Sequence, residues 1–169
     1  MENIDKTIIE IRIKLLRDIH GLTQEELAKN LNVSRALINC WENGYTDISL
    51  NKLVLLSYYF KVPIDYILGL INEFNQKNYT FKQSIDKTYL GKNIRLIRKT
   101  NRLNQIEFAK IVHMERSTLS HYENGKATMS SSDLKEICST FGFSADWCIG
   151  TTNHSLLNSK NSIHELINT

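Results

Sequence analysis

The sequence predicts an all-α protein built from two tandem five-helix domains, and three observations carry that expectation. One Pro and seven Gly among 169 residues leave little of the punctuation that many short strands require. Apolar residues recur at i, i+4, i+7, as in Ile9, Ile13 and Leu16 and again in Leu90, Ile94 and Ile97, which is the spacing of a helix that buries one face. Shifting the chain against itself by 81 residues superposes 13–69 on 94–150 without a gap, with 17 of 57 positions identical. That period is longer than the roughly 20 to 50 residues of a stacked solenoid unit, so each copy closes its own core. The expected organisation is domain 1 over 1–70, a linker over 71–88, domain 2 over 89–150 and a tail over 151–169.

Each copy reads as five short helices. The first carries the apolar stripes just named. The second has a well-specified start: Thr23 with Glu26, and Asn104 with Glu107, have capping-box spacing. Leu22 with Leu27, and Leu103 with Phe108, have the spacing of a hydrophobic staple. The third runs over 35–43 and 116–124, ended each time by Asn-Gly, where Gly can take the left-handed conformation that closes a helix. Ser34 is a good N-cap for it and Glu115 a poorer one. The fourth holds Leu50, Leu53, Leu56 and Phe60, matched by Leu134, Ile137 and Phe141. The fifth is expected to begin at Pro63, where a missing N–H costs nothing, and near Ser144 in copy two. It is expected to continue to about Phe74. The tail is Asn/Ser-rich with Ile163, Leu166 and Ile167 as its apolar cluster, which leaves a frayed end and a short docking helix both open.

Composition narrows the function classes. At 41% hydrophobic and 23% charged the chain is neither disordered nor fibrous. Cys40, Cys138 and Cys148 show no metal-ligand or CxxC spacing, and an odd, sparse set points to a reducing, cytoplasmic compartment. Cys138 and Cys148 are expected in the core. No apolar run approaches the roughly 20 residues of a membrane span. His20, His113, His121, His154 and His164 lack HExxH spacing, and neither GxSxG nor a Gly-rich phosphate loop occurs, so an enzyme is not expected and no cofactor or metal is implied.

A capped helix, a three-residue turn (Asn32-Val33-Ser34, His113-Met114-Glu115) and a second helix with one buried apolar position are the parts of a helix-turn-helix. Ala28 and Ala109 permit close approach, while Ile38 or Leu119 anchors the second helix and frees its outer face for a major groove. LTQEELAKNLNVSRALINCWENG with VPIDYILG closely resembles the phage repressor and Cro-like (XRE-type) DNA-binding family, and copy two resembles it through LNQIEFAKIV, STLSHYENGK and SADWCIG. The resemblance implies two lambda-repressor-like helix-turn-helix domains binding double-stranded DNA, as a transcriptional regulator and most simply a repressor, of a kind that phages and mobile elements often carry. It also implies roles. Gln24 and Gln105 would grip the DNA backbone and brace the recognition helix. Ser34, Arg35, Ala36, Asn39 and Cys40, and Arg116, Ser117, Thr118, Ser120 and His121, would reach base edges. Asn43 and Asn124 would meet phosphates. Arg can pair with guanine and Asn with adenine, which makes Arg35 and Arg116 the foremost base contacts. Arg17 with Glu42 and Arg98 with Glu123 would form partly buried architectural ion pairs. Trp41 and Tyr122 read as core closure.

The copies differ in charge. Residues 1–70 hold 8 basic and 9 acidic side chains, and 89–150 hold 9 and 6. Lys92, Arg95, Arg98, Lys99 and Arg102 gather on the first helix of copy two, and Lys126 follows its Glu-Asn-Gly, so copy two is expected to supply more phosphate neutralisation. Copy one carries Ala36, Leu37 and Cys40 on or beside its recognition face. These suit thymine methyls, or else a protein partner such as that of an antirepressor or antitoxin. Half-sites one turn apart are about 34 Å between centres, and an 18-residue linker spans up to about 60 Å extended or roughly 23 Å if flexible. One chain could therefore engage both half-sites, and a homodimer remains an open alternative.

Overall fold

A computed structural model describes residues 8–157. Copy one contains α1 (Ile8–Ile19), α2 (Gln24–Asn30), α3 (Arg35–Asn43), α4 (Leu50–Phe60) and α5 (Ile64–Leu68). Copy two contains α6 (Lys87–Thr100), α7 (Gln105–Ile111), α8 (Arg116–Glu123), α9 (Ser131–Phe141) and α10 (Ala145–Ile149). The fold is all-α, with no strand among the described residues beyond two isolated bridges. The sequence periodicities select the core: Ile13, Leu27, Ile38, Leu53 and Ile67 in copy one, and Ile94, Phe108, Leu119, Leu134 and Ile137 in copy two, are fully buried. Cys138 and Cys148 lie in that core as free thiols with sulfurs 3.9 Å apart.

The bounds of the fifth helix are corrected. The fifth helix does not reach Phe74: it stops at Leu68 because Gly69 turns left-handed at φ 78°. Pro63 precedes it in extended conformation at the N-cap, so Ile64 is the first helical residue. The segment 71–88, expected as the linker, is held against both copies. Arg12 donates to the carbonyls of Tyr66 and Ile71 and to the Asn72 side chain, Thr80 N–H donates to Thr151 O at 2.7 Å, and α6 starts two residues early because Asp86 caps Thr88 and Tyr89. The start of the tail is also packed, with Leu157 N–H donating to Gly142 O at 3.0 Å and Ser144 N–H to Ser155 O at 2.9 Å. Ile163, Leu166 and Ile167 lie outside the described residues.

The two copies dock reciprocally, with the backbone contacts repeated at the 81-residue offset. Leu50 N–H donates to Met129 O at 3.1 Å while Ser131 N–H donates to Ile48 O at 2.9 Å, and the equivalent residues Ser49 and Ser130 form an antiparallel bridge. Asp65 and Asp146 exchange caps. The Asp65 carboxylate accepts the N–H groups of Ala145 (2.6 Å) and Asp146, plus the Ser144 hydroxyl, at the start of α10. The Asp146 carboxylate accepts Asp65 N–H (2.7 Å) and Ile64 N–H at the start of α5, whose own cap, Pro63, offers no side-chain acceptor. Thr151 Oγ1 donates to the remaining Asp146 oxygen at 2.7 Å. Pairs exchanged in this way between equivalent residues define a local two-fold relation between the copies.

Both carboxyls are buried and touch each other. Burial, then the Asp146 charge, pushes Asp65 up to about 7, and burial raises Asp146 as well. The groups facing the pair are Tyr79, itself pushed to about 12 mainly by burial, and the Cys138 thiol, also raised by burial. A carboxyl raised on folding binds a proton that the unfolded chain has released. Its stabilising contribution is therefore complete in acid, shrinks as pH rises from the ordinary carboxylate range, and is gone above about 7. Urea denaturation from about pH 5 to about pH 8 should show stability falling with pH in the native chain and falling less steeply in Asp65→Asn, whose amide does not titrate.

Gly91 marks the closest approach of α6 to the end of α8. A Cβ there would lie 2.4 Å from Tyr122 O and 2.8 Å from Glu123 O, both backbone atoms that cannot swing aside. Gly91→Ala should destabilise copy two by about 1–3 kcal/mol, the usual cost of overpacking, measured by urea denaturation.

Candidate nucleic-acid interface

The bihelical units form as their local chemistry dictates. Both capping boxes are present, with Thr23 N–H to Glu26 Oε2 at 2.7 Å and Asn104 N–H to Glu107 Oε2 at 2.8 Å. The turns then reverse through one left-handed residue each, Asn32 at φ 50° and His113 at φ 52°, and close through Val33 N–H to Ala28 O and Met114 N–H to Ala109 O, both 2.9 Å. Ser34 caps α3 by accepting Leu37 N–H, whereas Glu115 makes no side-chain cap on α8. Gly44 closes α3 at φ 72°. α8 stops at Glu123, with Asn124 as its cap residue and Gly125 following at φ 66°.

Each recognition helix is fixed by a buried ion pair. Arg17 grips Glu42 through Nε (2.5 Å) and Nη2 (3.0 Å), and its Nη1 donates to Leu22 O. Arg98 grips Glu123 through the same two nitrogens (2.6 and 3.0 Å) and donates to Leu103 O. Gln24 and Gln105 complete the arrangement, donating to Glu42 at 2.9 Å and Glu123 at 3.0 Å. Burial pushes Glu123 up, but hydrogen bonds from Arg98, Gln105 and Arg95 together with the Arg98 charge outweigh it and hold the carboxyl below its usual range.

The residues singled out in the sequence fall into two groups. Ser34, Arg35, Ala36 and Asn39, and Arg116, Ser117, His121 and Lys126, are exposed on or beside α3 and α8. Cys40, Asn43, Thr118 and Ser120 are half-buried, as are Gln24 and Gln105. Asn43 donates to the Asn39 carbonyl (2.9 Å) and side chain (3.0 Å), which braces Asn39 on the outer face. Asn124 donates to Ser120 O at 2.8 Å and accepts from Arg95 at 2.8 Å. Tyr122 spends its hydroxyl inside the copy, donating to Asp133 at 2.6 Å.

Two parts of the reading from sequence change. Leu37 is half-buried and packs against the core, so the apolar patch expected on the copy-one recognition face is smaller. Of the five basic residues expected on the first helix of copy two, Arg95 and Arg98 are committed to Glu123, Lys92 and Lys99 are exposed on α6, and Arg102 is exposed beyond the end of α6 in a turn at φ 57°. The sequence reading also passed over Asp65 and Asp146, although their identity at the 81-residue offset was visible in VPIDYILG and SADWCIG.

Comparison with known proteins agrees with this geometry. A helix-turn-helix family model matches residues 13–67, and a second, a helix-turn-helix domain model, matches 91–153. The chain is 43% identical over 56 residues to the uncharacterized HTH-type transcriptional regulator MJ0272 of Methanocaldococcus jannaschii, covering 33% of this chain and 85% of that protein. It is 47% identical over 55 residues to antitoxin PezA of Streptococcus pneumoniae (32% of this chain, 35% of PezA). It is 36% identical over 69 residues to the HTH-type transcriptional regulator ImmR of Bacillus subtilis (41% and 54%). The matches span about a third of PezA and about half of ImmR. The chain belongs to the XRE-type helix-turn-helix family, with two such domains in tandem. No helix among the described residues is long and apolar enough to cross a membrane.

Removing one partner of a buried ion pair strands the other charge. Glu123→Ala should therefore cost about 3–5 kcal/mol by urea denaturation, and any loss of DNA binding in that variant should track unfolding rather than a lost contact.

Proposed function

We propose that this protein is a sequence-specific DNA-binding transcriptional regulator, acting as a repressor, in which one chain reads a two-part operator through α3 and α8. The observation that carries the reading is the reciprocal docking of the copies, which holds two helix-turn-helix units in a fixed two-fold relation. A two-fold pair reads half-sites in inverted orientation, since operator symmetry mirrors protein symmetry. The half-sites differ in sequence because the reading faces differ: Arg35, Ala36, Asn39 and Cys40 in copy one, Arg116, Ser117, Thr118, Ser120 and His121 in copy two. Ser34 borders the first face. Gln24, Gln105, Asn43 and Asn124 position the helices against the phosphate backbone. Lys126 adds charge there, and repression follows if the bound chain covers a promoter.

A second reading gives copy one a protein partner, and it draws on the similarity to a protein named an antitoxin. The half-burial of Leu37 and Cys40 weighs against α3 as that surface.

Selection of bound sequences from a random duplex pool at fixed salt tests the proposal. The whole chain should enrich two unlike, inverted half-sites. Arg116→Ala should weaken binding to the enriched duplex by about 1–3 kcal/mol and relax preference in one half-site, whereas Lys126→Ala should weaken all duplexes evenly. Failure to enrich any sequence would overturn the proposal, and equal losses on operator and random DNA for Arg116→Ala would remove its base-reading role.

A further inference from the structure

The outer face of α1 carries a row that is uncovered among the described residues. Ile11, Leu15 and Ile19 follow at i, i+4, i+8 and are 49%, 43% and 68% exposed. Copy two shows that neither the helix nor its packing requires an isoleucine at either end of the row: Lys92 and Thr100 stand where copy one has Ile11 and Ile19, while the middle position is Leu in both copies. The contacts between copies do not use this face, since they run through α5, α10 and the segments around Ser49 and Ser130. Three branched side chains in line at the surface form a ridge of the kind that packs into the groove of another helix.

The flanking charges identify the occupant. One side of the ridge turns into the core through Arg12 and Leu16. The open side carries Lys14 and Asp18, four residues apart on the neighbouring row, with Asp18 half-exposed and paired to Arg17 at 2.7 Å. In an antiparallel pair of α1 helices related by a two-fold at Leu15, Ile11 of one chain faces Ile19 of the other. The two-fold keeps the open flanks on the same side, so Lys14 falls beside Asp18 of the second chain, about 3 Å apart along the axis at 1.5 Å per residue. The row is thus complementary to itself in both shape and charge. Residues 1–70 carry 8 basic and 9 acidic side chains, so the two copy-one domains meet without strong net repulsion.

We propose that α1 is a self-association surface through which two chains pair by antiparallel contact of Ile11, Leu15 and Ile19, with Lys14–Asp18 pairs along the open edge. The contact is small, so it is a weak, reversible one. It is independent of the DNA-binding reading, because it concerns the free protein and a face away from the α3 and α8 reading residues.

Sedimentation velocity of the full chain from about 1 to about 300 μM tests it, a range that spans the dissociation of small interfaces. The average mass should rise with concentration from 19.6 kDa toward twice that value. Ile11→Lys with Ile19→Thr transplants the copy-two residues onto α1, which preserves helix formation, and should hold the mass at the monomer value. Lys14→Asp alone should shift the midpoint to higher concentration by several-fold, and adding Asp18→Lys should bring it back. A native chain that stays monomeric throughout would overturn the proposal, as would a dimer that the Ile11→Lys/Ile19→Thr variant leaves intact. Circular dichroism melting of each variant separates lost association from lost folding.

Discussion

Asp65 and Asp146 each cap the first turn of the other copy's fifth helix, and this exchange holds the two copies together. A helix start leaves backbone N–H groups without partners, and both short terminal helices begin inside the junction, where water is not there to satisfy them. Each carboxylate supplies acceptors to the other copy's helix, so neither α5 nor α10 is complete until the copies meet. The cost is two carboxyls in contact in a buried setting, which the junction meets by holding a proton until about pH 7. Around this centre, the exchanged backbone bonds at Ser49 and Ser130 fix the second point of contact. Two points fix an orientation, where one alone would leave a hinge.

A second layer of polar chemistry transmits that orientation to the outer helices. α1 sends Arg17 to Glu42 of α3, α6 sends Arg98 and Arg95 to Glu123 of α8, and a glutamine from α2 or α7 closes the same carboxylate. Hydrogen-bonded on several sides, the glutamate has little freedom, and neither has the helix that carries it. The residues that point outward from α3 and α8 are therefore presented by rigid elements. Arg35 and Arg116 are the first residues of their helices and are exposed.

Much of this was legible in the sequence because it is written in local rules. Capping boxes at Thr23 and Asn104, the apolar stripes of α1 and α6, and the Asn-Gly helix ends depend on neighbours within a turn or two. The ion pairs were legible through family resemblance, not spacing, since Arg17 and Glu42 lie 25 residues apart. The junction was missed because its partners are 81 residues apart and its signal, an aspartate at the start of each fifth helix, also suits an ordinary helix N-terminus. The contacts of the linker are not legible for a related reason. Its polar composition gives no sign that Arg12 and Thr151 would hold it against the domains. The charge count misled more gently: Arg95 and Arg98 are basic in sequence but spoken for in structure.

Copies held rigidly by the exchanged caps would address the proposed two-part operator as one body, and changing the spacing of its half-sites separates a rigid pair from a tethered one. Inserting about five base pairs between the half-sites turns one of them to the opposite side of the duplex, since a turn is about 10 to 10.5 base pairs. A rigid pair loses the second contact, so affinity should fall to that of a duplex with one half-site, while insertion of a full turn should also fail because the span no longer matches. Affinity unchanged by either insertion would mean that the copies are not held rigidly, since only copies joined by a loose tether could follow the half-sites as they move.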